Sequence, residues 1–185
     1  MRVFGIDPGS ERTGYGCVDT DGRNHRLVVC GALKMPAGAS FPERLRQIHE
    51  GLTSLIAEHR PDQVAIENLF HSVNVRSALK LGHARGVAML AAVQAGVQVV
   101  EYTPAEIKRA VVGYGRAEKK QVQDMVRLLL ALDAPPTPHD AADALAVAIC
   151  HVHNAGGAPQ HLVEDARRLP RSWRNWRPPA GSRPS

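Results

Sequence analysis

A single α/β domain on a mixed five-stranded sheet, three antiparallel strands followed by two parallel ones with helices on its faces, is predicted by three features of the sequence. The first third of the chain is made of short apolar and β-branched runs separated by Gly, Pro, Asp and Asn. From Ser40 onward helical and strand patterns alternate. The length, 185 residues with 44% hydrophobic content, suffices for one buried core and falls short of two ordinary domains.

Val3 to Asp7, Gly14 to Asp19 and Leu27 to Met35 read as an antiparallel meander. Ser40 and Glu43 make a capping box, and Phe41, Leu45, Ile48, Leu52, Leu55 and Ile56 then recur at helical spacing, predicting a helix from about Phe41 to His59. After the Arg60-Pro61-Asp62 break, Val64-Ala65-Ile66-Glu67 has the length of a buried strand. A second helix is expected from about Val75 to Ala95, then a β-branched strand from Val97 to Tyr102. Thr103, Pro104 and Glu106 supply an N-cap, a first-turn proline and a box acid, so strand passes directly into helix. Val122, Met125, Val126, Leu129 and Leu130 give one apolar face to a helix opening near Ala117. Pro135, Pro136 and Pro138 stop the chain, and a last helix runs from His139 or Asp140 to about Asn154, closed by Gly156 and Gly157. Residues 1–154 are thus the expected domain, and residues 155–185, rich in Pro, Gly, Arg and Ser, an expected disordered tail.

The formal charge of +5 is uneven, because residues 155–185 hold six arginines against Glu164 and Asp165 and carry +4 of it. A basic chain points only weakly to nucleic acid, since a solvated charged surface explains it equally well. The apolar stretches fall well short of the roughly 20 residues a membrane helix needs, and the acid at Asp7 interrupts anything resembling a signal peptide. A cytoplasmic protein with no membrane partner is expected. Cys17, Cys30 and Cys150 form no paired motif and are read as reduced packing residues rather than a disulfide framework or zinc site.

Four acids stand at suggestive places. Asp7 ends an apolar strand before Pro8-Gly9-Ser10, and Glu67 ends another, so the two converge if the strands are neighbours. Asp140 and Asp143 lie three apart in the first turns of an alanine-rich helix, on one face. Singly each has a plain explanation: a turn-forming Asp7, an exposed Glu67, a helix-capping Asp140. Asp143, set deeper among Ala141, Ala142, Ala144 and Leu145, is harder to explain that way. Clustered carboxylates repel and are costly to bury without a cation. Oxygen-only ligation points to a hard ion such as Mg2+ or Mn2+, and two such ions about 4 Å apart serve phosphodiester hydrolysis.

Asp7-Pro8-Gly9-Ser10 with Thr13-Gly14-Tyr15-Gly16, Ala65-Ile66-Glu67, Ser77-Ala78-Leu79-Lys80-Leu81-Gly82 with Ala84-Arg85-Gly86, and Asp140-Ala141-Ala142-Asp143-Ala144-Leu145 together resemble the RuvC family of Holliday-junction resolvases, in order over residues 1 to about 154. The resemblance implies a ribonuclease-H-like fold and a homodimer, with two Mg2+ per active site for which Mn2+ may substitute. It implies paired nicks in opposing strands of a four-way junction, leaving 5′-phosphate and 3′-hydroxyl ends, in recombination and repair, with a branch-migration motor as a further candidate partner. It assigns catalysis and metal binding to Asp7, Glu67, Asp140 and Asp143. Some members carry histidine at the position matched to Asp140, so the adjacent His139 stays open as an auxiliary ligand or base.

For DNA, Lys108, Arg109, Arg116, Lys119 and Lys120 surround the turn Gly113-Tyr114-Gly115. A solvated helix face accounts for Arg109 and Lys120, whereas Lys108 and Lys119 match basic positions the family uses near the scissile phosphate. Arg116 is a further candidate, as are Arg76 and Lys80 on the second helix. Phe70, in a polar loop, is expected to stack on an unpaired base. The second helix, with Ala78, Leu79, Gly82, Gly86, Met89 and Leu90, resembles the family's interface element. His151 and His153, two apart on a helix, face different ways and are read as core or surface residues. The tail segment Arg171-Ser172-Trp173-Arg174-Asn175-Trp176-Arg177 is expected to add DNA affinity. Two other readings remain: a phosphotransferase, because the Asp7 to Gly16 segment also resembles the phosphate loop of the actin and sugar-kinase superfamily, and a non-catalytic junction binder. The first expects two related domains, and the second leaves four filled acidic positions unexplained.

Overall fold

The computed structural model describes residues 1–68 and 74–155. Strands β1 (Arg2–Asp7), β2 (Arg12–Thr20) and β3 (His25–Lys34) are followed by helix α1 (Phe41–His59), β4 (Gln63–Glu67), α2 (Val75–Gln94), β5 (Gln98–Tyr102), α3 (Pro104–Val112), α4 (Lys119–Leu129) and α5 (His139–Ala155). The sheet order is β3-β2-β1-β4-β5, with β1–β2 and β2–β3 antiparallel and β1–β4 and β4–β5 parallel. Expected and observed elements agree in kind and order. Phe70, Gly156, Gly157 and the Arg171–Arg177 segment lie outside the described residues. Among the described residues no helix is long and apolar enough to cross a membrane.

The boundaries differ for local reasons. Strand β3 starts two residues earlier than its apolar run, because the Asp21 carboxylate accepts from Arg23 N and Asn24 N, both at 2.8 Å, and closes a tight turn. Helix α4 opens at Lys119 instead of near Ala117, since Gln121 Oε1 accepts from Glu118 N at 2.8 Å and makes Glu118 the cap, while Ala117 is buried in the core. The box at Thr103 and Glu106 forms in both directions. At α1 only half of the expected box forms: Ser40 Oγ accepts from Glu43 N at 3.4 Å, but the Glu43 carboxylate accepts from Arg46 and Gln47.

Alternation along the central strands divides the core between the two sheet faces. Phe4, Ile6, Val64 and Ile66 pack against Ile48, Leu52 and Ile56 of α1 and the alanine face of α2. Val3, Val18 and Ala65 pack on the other face with α3, α4 and α5. Each fully buried Leu, Ile or Phe contributes about 1.5–3 kcal/mol. Helix α5 lies directly on β1 and β2, and the reason is steric. A Cβ at Gly5 would strike the carbonyl oxygen of Ala144, and one at Gly14 would strike that of Asp140. Missing side chains on the sheet and alanines on the helix together let two backbones meet, which fixes the depth and direction of the acidic first turns of α5.

Candidate active site

Alternation also decides where the strand acids point. Val3 and Gly5 face α5, so Asp7, two further along β1, faces it as well. On β4, Ala65 faces the same layer and Glu67 follows by two. Because β1 and β4 are parallel and Ile6 stands opposite Ile66, both strands end at one edge and the two carboxyl groups lie side by side. Helix α5 then brings Asp143 over them. Asp7, Glu67 and Asp143 line a cavity of about 390 Å3 whose remaining wall includes Ile107 and Lys108 of α3, Lys119 and Val122 of α4, and Ala146 of α5. The box at Thr103 holds α3 so that Ile107 is buried and the next residue, Lys108, reaches this wall.

Three acids on a largely apolar floor perturb one another. Burial first, then repulsion from Glu67 and Asp143, pushes the Asp7 carboxyl up to about 8. Glu67 is also raised, by burial first and by Asp143, against the pull of Lys119 and Lys108. The interaction between the two carboxyl groups raises Asp7 and works against the rise of Glu67, so Asp7 is the one that favours the protonated form. Lys119 Nζ donates to Asp143 Oδ2 at 2.6 Å. Burial disfavours the Lys119 ammonium, but Asp143, Asp7 and Asp140 outweigh it and hold the pKa above its usual value.

Asp140 stands just outside this group. Its Oδ2 lies 3.9 Å from Arg12 Nη1, and its charge reaches both Asp7 and Lys119, but it does not line the cavity. His139 turns toward α4, where Gln123 Nε2 donates to its Nδ1 at 2.9 Å. Among the described residues no three His, Cys, Asp or Glu side chains are gathered around one point as ligands of a bound ion would be; Asp143 is instead bonded to Lys119.

Of the DNA candidates, Lys108 and Lys119 are on the cavity wall and Arg116 is exposed on the α3–α4 connection. Arg76 is exposed in the first turn of α2. Lys80 sits 6.0 Å from the centre of the Phe41 ring, in a cavity of about 280 Å3 shared with Arg44 and with Ser10, three residues past Asp7. Arg12, beside Asp140, and Arg44, beside Glu11 in the cavity that holds Lys80, are basic groups that the sequence did not single out. Arg12 faces Asp140 only because β2 runs back alongside β1 under α5, and local spacing carries no sign of that. The segment read as a phosphate loop is the β1–β2 connection, closed by Thr13 Oγ1 donating to the Gly9 carbonyl at 2.9 Å.

A mixed sheet in this order, with acids at the ends of its adjacent parallel strands and another on the helix laid across them, defines a ribonuclease-H-like fold of the resolvase type. The yeast mitochondrial Holliday junction resolvase shares that fold with a TM-score of 0.58 at 11% identity, over 82% of this chain and 78% of the other. The chain belongs to the crossover junction endodeoxyribonuclease RuvC family, whose model matches residues 3–151. It is 55% identical to crossover junction endodeoxyribonuclease RuvC of Halorhodospira halophila, over 90% of this chain and 99% of that one. Against the Chloroflexus aggregans protein of the same name the identity is 54%, over 84% and 94%. The Thermus thermophilus RuvC structure superposes with a TM-score of 0.78 at 37% identity over 84% and 95% of the two chains. T. thermophilus RuvC in complex with its Holliday junction substrate gives 0.77 at 35%, again over 84% and 95%.

Proposed function

We propose that this chain resolves four-way DNA junctions, hydrolysing one phosphodiester in each of two opposing strands to leave 5′-phosphate and 3′-hydroxyl ends. The observation that carries the reading is the convergence of Asp7, Glu67 and Asp143 with Lys108 and Lys119 on one cavity, in a chain of this family. The substrate is inferred from the relatives, which are crossover junction endodeoxyribonucleases, and from the junction bound to T. thermophilus RuvC.

The donor set suits Mg2+, with Mn2+ able to substitute. It offers only oxygen, it is half-buried, and its charge is under-compensated, as the raised Asp7 and Glu67 carboxyls attest. Asp7, Glu67 and Asp143 would hold the ions from the cavity side and Asp140 from its rim, His139 being tied to Gln123. Two ions held there would supply activation of a water and charge neutralisation at the leaving oxygen. Lys108 and Lys119 hold the scissile phosphate against the acids that face it. Ile107, Val122 and Ala146 keep the cavity floor dry, which strengthens each of those charge interactions. Lys80, Arg76 and Arg116 guide the flanking backbone, and Phe70 stacks at the junction centre. Residues 1–154 carry the nuclease, and the arginine-rich tail adds sequence-independent affinity.

Two equivalent cuts in a nearly two-fold substrate call for a two-fold dimer. Helix α2 presents Val75, Leu79, Leu90 and Val93 to solvent, beside a groove of about 470 Å3 along Ala78, Gly82 and Gly86. Contiguous apolar surface of this kind is typical of an interface, and we assign the homodimer contact to it. A branch-migration motor is the further partner of such an assembly. The test is incubation of a synthetic four-way junction with Mg2+, Mn2+ or EDTA: nicking in the first two and none in the third is expected, and nicking in EDTA contradicts the reading.

A further inference from the structure

His25, at the start of β3, and His153, near the end of α5, face each other with their Nε2 atoms 3.2 Å apart and ring centroids at 5.3 Å. The other nitrogen of each ring is engaged. His153 Nδ1 lies 2.9 Å from the Ala110 carbonyl oxygen, which can only accept, so the neutral ring keeps its proton on Nδ1 and a lone pair on Nε2. His25 Nδ1 lies 2.9 Å from Thr20 Oγ1, which already accepts from Gly22 N at 3.0 Å and retains a second lone pair for an Nδ1–H. Without an ion the two rings share a proton at this contact, with the Thr20 hydroxyl donating to His25 Nδ1; when His25 carries its proton on Nδ1 instead, two lone pairs converge on one point.

We propose that His25 and His153 form a two-histidine site for a borderline transition-metal ion, Zn2+ in the first instance, separate from the carboxylate cluster. Tetrahedral Zn–N bonds of about 2.0–2.1 Å place neighbouring ligand nitrogens roughly 3.3–3.4 Å apart, within a few tenths of the separation seen here. His153 is oriented through its far nitrogen by the Ala110 carbonyl, and in that tautomer His25 by the Thr20 hydroxyl, the arrangement that fixes metal-binding imidazoles. Imidazole nitrogen selects Zn2+, Ni2+ or Cu2+ over the hard ions suited to the acids. His153 is exposed, so water completes the coordination. Asp21, whose charge reaches His25, is occupied by Arg23 N, Asn24 N and Asn24 Nδ2. Burial, and His153 after it, hold the His25 pKa below its usual 6.5, which favours the neutral ring that a metal needs. The ion ties the β2–β3 hairpin to the far end of the helix whose first turns carry Asp140 and Asp143.

Zn2+ titrated into the untagged full-length chain, in Asp7→Asn background and excess Mg2+, tests this by 15N chemical shifts of the imidazoles. Nε2 of His25 and of His153 are expected to shift together and ahead of other histidines. His25→Gln and His153→Gln are each expected to weaken Zn2+ affinity at least about tenfold. Neither ring shifting, or Zn2+ raising the Tm of the double variant as much as that of the parent, overturns the site and leaves a shared proton as the reason for the contact.

Discussion

Lys119 and Asp143 meet at 2.6 Å across the 24 residues that separate them, the ammonium of α4 donating to the carboxylate of α5. Their side chains are 61% and 22% exposed, so the bond adds little to stability, about 0–1 kcal/mol. Its weight falls on the cavity, where Lys119 bonds one of the acids directly.

Lys119→Ala is therefore expected to slow single-turnover junction cleavage by about 10²–10³ and to lower the salt slope of binding by about 1. Its thermal midpoint should stay within about 2 °C of the parent's. Unchanged cleavage at low and moderate salt removes Lys119 from the site.

The Asp7 carboxyl titrates near 8 in the folded chain against the usual 3.8. Between those values the folded state binds more protons than the unfolded one, so stability falls as pH rises from about 4 and is fully reduced above about 8. In EDTA, Asp7→Asn should melt several degrees above the parent at pH 8.5 and show a smaller advantage at pH 5. Equal melting of the two proteins at both pH values contradicts the assignment of burial and repulsion to Asp7.

Gly14→Ala places a methyl group against the Asp140 carbonyl, backbone against backbone, with no flexible atom to yield. Overpacking of this kind costs about 1–3 kcal/mol or more and tilts the first turn of α5. Urea denaturation should give that loss, and cleavage should fall further than stability alone explains. Wild-type stability in Gly14→Ala would show that α5 sits less close to β2 than described.

Leu79, 59% exposed on α2, should leave a stable monomer when replaced by Glu. Sedimentation equilibrium of Leu79→Glu is expected to show half the parental mass, and the monomer should nick one strand without the paired cut. A dimer of undiminished affinity moves the interface elsewhere.

The fold was legible because its elements announce themselves locally: the box at Thr103 and Glu106, the apolar repeat from Phe41 to Ile56, the proline run before α5. Asp7 and Glu67 were legible as strand ends, and Asp143 as an acid among alanines. What local pattern could not carry is pairing over distance. That Ile6 stands opposite Ile66, that Arg12 meets Asp140, that Gln123 turns His139 away from the acids and that His25 meets His153 all follow from sheet order and from the close seat of α5 on β1 and β2. The open register at His139 and Asp140 illustrates the limit: the two are adjacent in sequence, and only the packing of α4 on α5 sends one ring away and leaves the other charge near Asp7.

Asp7, Glu67 and Asp143 are proposed as the catalytic centre of a paired junction nickase. Single-turnover cleavage of a four-way junction, labelled in turn on each strand and followed by DNA ligase, tests it most directly. The parent in Mg2+ is expected to nick two opposing strands symmetrically, with ends that ligase seals, while Asp7→Asn and Asp143→Asn bind the junction and leave all four strands intact. Cleavage by either variant at the parental rate, or ends that ligase cannot join, would contradict that assignment.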